Sequence, residues 1–311
     1  MKHSLFFLLM VLLTACSVSQ GMPTSTVPVP TTEVLVMATA PQIAVAPTLT
    51  MTVPAPTATP TPIPIEAADW KNWSVVPTLR PEMLNVYANG QALGRDIHVV
   101  SVVGDCESSS DWFLKEFSKG ARYYDLGPYT DLQATIDHFN ASLGYQSYAA
   151  LRGATASTVL SPLWADSKAC QPNETPLACE YRLHNPAFAF IALGTNDIHK
   201  IDQFEPKMRE IINYTLEQGI VPILVTKADN LEGDDQINLT IARLAAEYQL
   251  PVWNFWAAVQ PLPGHGLQED GAHLTFGSNF FNDPENLNGA WAMRNLTALQ
   301  VLEVMRTAMQ E

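Results

Sequence analysis

Cys106, Asp270 and His273 carry the side chains that nucleophilic acyl transfer requires. A thiolate attacks a carbonyl carbon, and a neighbouring imidazole carries the proton. Asp270 and His273 are three residues apart, so a single turn sets them on one side. The carboxylate can then accept from one ring nitrogen, fix the tautomer and leave the other nitrogen as the base. Each residue also has an ordinary reading: a buried inert thiol for Cys106, a surface-loop imidazole for His273.

The elements that must position these groups are legible in the chain. The run IHVVSVVGDC (97–106) is β-branched and apolar and stops at Gly-Asp, which predicts a buried strand meeting a turn. Ser and Asp residues at 108–111 followed by Trp112, Phe113, Leu114 and Phe117 predict a helix after it. Cys106 is therefore expected between a strand's carboxyl end and a helix N-terminus, where open α/β sheets place ligands. Further strands are expected at 145–151, 186–193, 220–225 and 251–255, making about five. Amphipathic helices are expected at 131–142, 203–218 and 234–247, with a closing helix at 289–310. Residues 78–96 read as irregular, with a turn at Asn89-Gly90. This alternation predicts an α/β fold: a mostly parallel sheet with helices on both faces, a three-layer αβα sandwich.

Four blocks fall at the ends of these strands in order. They are Gly104-Asp105-Cys106, Gly153, Gly194-Thr195-Asn196-Asp197 and Asp270-Gly271-Ala272-His273. Over residues 95–311 they resemble the SGNH (GDSL-type) hydrolase family, whose sheet is flavodoxin-like and whose name lists Ser, Gly, Asn and His. The chain has Cys106 where the resemblance calls for Ser. The resemblance implies an ester hydrolase in which Cys106 is the nucleophile, His273 the base and Asp270 its orienter. The Cys106 and Gly153 N–H groups and the Asn196 amide would form the oxyanion hole. One such donor is worth roughly 3–4 kcal/mol in a transition state. A small acyl ester, such as an acetyl group on a polysaccharide, is the substrate the resemblance implies. The thiol would be favoured as thiolate by His273 and by a helix N-terminus, and disfavoured by the flanking Asp105 and Glu107. The reading from a different class is a non-catalytic glycan- or ligand-binding protein on a degenerate scaffold of this kind.

Asp229 and Asn230 follow the strand at 220–225 and either line the site or cap a loop; Lys227 reads as an ion-pair partner of Asp229. Trp164, Trp253 and Trp256 read as core more readily than as sugar-stacking rings. No cluster has metal-ligand spacing and no phosphate loop is present, so neither a metal nor another cofactor is expected.

The N-terminal part has a different character. Residues 1–16 combine Lys2, a Leu/Phe-rich stretch and Leu13-Thr14-Ala15-Cys16. This resembles a bacterial lipoprotein signal, with Cys16 the lipidated residue, and implies export and attachment to the extracytoplasmic face of a bacterial membrane. Residues 17–65 hold ten Pro and eleven Thr and almost no charge, as expected of an extended tether. The folded domain is expected over 66–311. With Cys16 set aside, Cys106, Cys170 and Cys179 remain; the short spacing favours a Cys170–Cys179 bridge, while a bridge to Cys106 would remove the nucleophile. A net charge of −14 argues against nucleic acid as a partner. Oligomeric state is left open.

Overall fold

The computed structural model describes residues 66–309. The expected signal, the lipobox Cys16 and the Pro/Thr-rich tether lie outside them.

The first helix, α1 (Pro81–Ala92), begins with Pro, whose fixed φ suits a first turn, and runs through the Asn89-Gly90 expected to form a turn. Gly90 is buried there: a Cβ would stand 2.1 Å from the Gly219 carbonyl oxygen, so close approach explains this glycine. Then come β1 (Asp96–Gly104), α2 (Cys106–Ser109), α3 (Gln133–Leu143) and α4 (Pro176–His184). They are followed by β2 (Pro186–Ala192), α5 (Ile201–Glu217), β3 (Val221–Val225) and α6 (Gln236–Tyr248). Last are β4 (Val252–Trp253), α7 (Phe255–Val259) and α8 (Ala290–Ala308).

The four strands form one parallel sheet in the order β1-β2-β3-β4. All of β2 but its last residue is buried, as a parallel strand covered on both faces must be. Phe188 of β2 meets Tyr87 of α1 and Phe139 of α3, while Phe190 meets Phe113 and Trp253. The protein is an α/β fold with a parallel sheet flanked by helices.

The expected strand at 145–151 is a single parallel bridge, Ala150 to Gly104, rather than a fifth strand. The reason lies in its side chains. The Tyr145 and Ser147 hydroxyls donate to the β1 carbonyls of Val100 (3.2 Å) and Val102 (2.6 Å), so side chains satisfy that edge where backbone would have. The bridge still places this segment on the side of β1 away from β2. The chain thus leaves β1 one way and returns past it the other, which makes the carboxyl end of β1 the switch point of the sheet.

The helix expected after Cys106 is also shorter than its apolar spacing suggests. α2 has four residues, and Leu114 stands at φ 59°, outside helical space, before a separate 3-10 turn at Lys115–Lys119. Asn295 of α8 explains the break: its Oδ1 accepts from Leu114 N–H and its Nδ2 donates to the Trp112 carbonyl. Ahead of α1, Trp70 packs on Trp256, and Asn254 donates to the carbonyls of Trp70 and Trp73, so the segment straps onto the body. Trp253 is fully buried, as a core ring, whereas Trp164 is exposed. Cys170 and Cys179 are joined, and Cys106 is free.

Candidate active site

Cys106 is the first residue of α2, immediately past the end of β1. Gly104 is required at that corner, because a Cβ would lie 2.2 Å from Ser108 Oγ and 2.7 Å from the Ala192 carbonyl oxygen. Asp105 caps α2 by accepting from Glu107 N–H. A helix of four residues has little dipole, so the electrostatics at Cys106 come from individual groups rather than from a long helix N-terminus.

Gly153 is brought to Cys106 directly: its N–H donates to Sγ at 3.4 Å. Gly153 stands at φ +73°, a conformation natural to glycine. Asn196 follows β2, and its Nδ2 donates to the Ala154 carbonyl at 3.2 Å. An amide has two hydrogens, so one remains for a ligand. Its neighbour Asp197 is buried and accepts from Ala156 N–H, and burial pushes its carboxyl up to about 6.

His273 Nδ1 lies 2.6 Å from Asp270 Oδ2, and Asp270 Oδ1 also accepts from the backbone of Ala272 and His273. These bonds, the imidazole's first, hold the Asp270 carboxyl well below the usual range. Since a carboxylate only accepts, Nδ1 carries the hydrogen and Nε2 is left as the base. His273, Cys106 and Asn196 line one hollow of about 240 Å³, with Thr195 and Leu231. Cys106 and His273 also line a second, of about 520 Å³, that opens toward Trp112, Arg152 and Trp291.

Asp229 and Asn230 are placed elsewhere. Asp229 is buried, bonded to Lys227 at 2.7 Å and to the Thr195 hydroxyl, and Asn230 caps a loop by accepting from Gly233 and Asp235. Leu231, the next residue, reaches the hollow instead. His265 bonds the Gln260 carbonyl, away from Cys106. Cys170, Glu174 and Cys179 form the single metal-sized grouping of such side chains among the described residues, but their two sulfurs are bonded to each other.

Sequence reading missed the buried charged cluster beside Asp105 and Glu107. Arg294 of α8 is buried, with its guanidinium 4.7 Å from the Phe113 ring centre and 5.0 Å from that of Phe255. Burial draws its pKa down, while the carboxyl groups of Glu107 and Asp105 oppose that. Burial also pushes Glu107 up to about 8 and Asp105 to about 6, Arg294 working against both. Glu107 Oε1 and Arg294 Nε are buried without a hydrogen-bond partner. An arginine in a mostly apolar closing helix was the available signal, since Arg is almost never buried unpaired.

No family model and no curated protein matches the sequence. Among solved structures the chain is similar to a GDSL-like lipase from Bacteroides thetaiotaomicron, at 16% identity over 72% of this chain and 99% of that one, TM-score 0.40. It is also similar to an acetylxylan esterase from Geobacillus stearothermophilus, at 17% over 65% and 93%, TM-score 0.39. A third is a psychrotrophic esterase from Pseudoalteromonas sp., at 11% over 69% and 100%, TM-score 0.39. Likeness at this level is too coarse to bear on what this chain does.

Proposed function

We propose that the protein is an SGNH-type acyl ester hydrolase with a cysteine nucleophile. The observation that carries this is the convergence of four segments: Gly153 N–H on Cys106 Sγ, and His273, oriented by Asp270, in the same hollow as Cys106 and Asn196. In this reading Cys106 Sγ forms a bond to the ester carbonyl carbon as its proton passes to His273 Nε2. The oxyanion is held by the Cys106 and Gly153 N–H groups and the free Asn196 hydrogen, so Gly153 N–H exchanges the sulfur for the oxyanion. Collapse breaks the carbon–oxygen bond, and the departing alkoxide takes the proton from His273. Water, deprotonated by His273, then attacks the thioester, releasing the acid and returning the proton to sulfur. The sequence of residues 1–65 supports an exported chain held to a bacterial membrane by lipid on Cys16; palmitate labelling lost in Cys16→Ser is the check.

Hydrolysis of a short-chain aryl acetate tests the reading. His273→Ala should slow it by roughly 10²–10⁴-fold. A variant that turns over like the parent would end the proposal. One observation favours a glycan-binding reading without catalysis: among the described residues the His273 ring bonds Asp270 and Cys106 Sγ accepts from Gly153, but no hydrogen bond joins His273 to the sulfur. That reading expects no turnover and only slow alkylation of Cys106 by iodoacetamide.

A further inference from the structure

The larger hollow beside Cys106 has a wall that the proposed chemistry does not use. Trp112 is 47% exposed and Phe276 67%, and the two rings adjoin, forming a contiguous apolar patch of the kind that marks a contact site. They pack edge to face at 5.3 Å, and Trp112 stands edge to face on Trp291 at 5.8 Å. Trp112 lies six residues after Cys106, Phe276 three after His273, and Trp291 on α8, so the shelf is built from the segments that carry the site.

The shelf is held firmly. The Trp112 carbonyl accepts from Asn295 Nδ2 at 2.8 Å, and the same nitrogen bonds Asn279 Oδ1 in the interior. Trp291 N–H is tied to the Thr275 carbonyl, in the loop between His273 and Phe276. A rigid ring loses little freedom on meeting a ligand, which is the use of an aromatic platform. The rim is polar: Asp111, Gln146, Arg152 and Gln268 line the same hollow. Arg152 is exposed at this rim, its guanidinium open to a ligand oxygen. The hollow, at about 520 Å³, falls within the size range of ligand sites.

We infer that Trp112, backed by Phe276 and Trp291, is a platform for a sugar ring, the alcohol side of the ester cleaved at Cys106. The inference rests on the proposed function for that last clause only. A pyranose has an apolar face of C–H bonds and a girdle of hydroxyls. That pairing matches an exposed indole rimmed by amides and a guanidinium. Asp111 and the Gln146 oxygen are already held by Lys115, and Gln268 by the Leu274 carbonyl, but an acyl chain would still cover the Arg152 guanidinium and the remaining amide hydrogens without replacing their water, at a cost for each.

Calorimetric titration of the purified full chain with three neutral, ester-free hexasaccharides, of glucose, xylose and N-acetylglucosamine units, tests the platform. At least one should bind. Trp112→Ala should weaken it about tenfold, the scale of one aromatic contact, and Trp112→Tyr should restore most of it. Trp164→Ala, which removes an exposed indole outside the hollow, should bind as the parent does. Absence of binding to all three sugars overturns the inference. So does a Trp112→Ala chain that binds normally, or an equal loss in Trp164→Ala. Because these ligands carry no ester, the two readings separate. Trp112-dependent binding without ester turnover removes the hydrolase and keeps the platform. Turnover without such binding does the reverse.

Discussion

The carboxyl ends of β1 and β3 each bury a cation among carboxyl groups, and the two clusters differ in how well they are satisfied. At β3, Lys227 Nζ reaches Asp229 Oδ1 at 2.7 Å, Glu232 Oε2 at 2.6 Å and the Asp229 carbonyl at 2.9 Å. All three ammonium hydrogens have acceptors, and the outer carboxylate oxygens accept from Thr195 and Ile237. At β1, Arg294 is caged by rings, and both its Nε and Glu107 Oε1 lack partners. The cluster that only holds a loop is complete. The cluster under Cys106 is not, and buried groups with displaced pKa values gather where chemistry is done.

Breaking the complete cluster should have the larger effect on stability. Lys227→Met strands two buried carboxylates and should cost roughly 3–5 kcal/mol by urea denaturation. Arg294→Met should cost less, about 1–3 kcal/mol, because Glu107 can stay protonated instead of leaving a bare buried charge. The reverse order would dissolve the contrast between the clusters.

The pH dependence sharpens it. Glu107 is raised from 4.5 to about 8 by burial, so the folded chain keeps a proton that the unfolded chain has lost. More protons bound in the folded state means that stability falls as pH rises, from near the unfolded value up to about 8. Asp105, raised to about 6, adds to the lower part of that window. Urea midpoints should fall across it, and Glu107→Gln, which cannot ionise, should flatten the slope. An unchanged slope would mean that Glu107 is not the buried acid described. The smallest effect should appear at the thiol. Below about pH 7 Glu107 is neutral, so Glu107→Gln should leave iodoacetamide labelling of Cys106 unaltered. Above about pH 8 the parent gains a negative charge beside the sulfur and should label within a few-fold more slowly than the variant.

Strand ends were legible in the sequence because parallel strands are buried on both faces and read as apolar runs. Thus 97–106, 186–193 and 220–225 correspond to β1, β2 and β3 within a few residues. The contact between Asp270 and His273 is local, three residues long, and its spacing announces it. What failed were inferences from apolar spacing where side chains do unusual work. Trp112, Phe113, Leu114 and Phe117 read as one helical face, yet they divide between a shelf and the core because Asn295, 181 residues from Leu114, bonds the backbone between them. Residues 145–151 read as a strand, yet hydroxyls replaced all but one pair of the ladder.

By itself the sequence determined the α/β alternation, the strand ends that carry Cys106 and Asn196, and the Asp270–His273 spacing. These depend on periodicity and neighbours within a few residues. Only the tertiary structure decided that Gly153 meets the sulfur, that Arg294 is buried beside Asp105 and Glu107, and that Trp112 faces the hollow while Asp229 turns inward. Such outcomes hang on which distant segments share one low-dielectric interior, where an unpaired charge or amide is expensive and each partner must be found far along the chain.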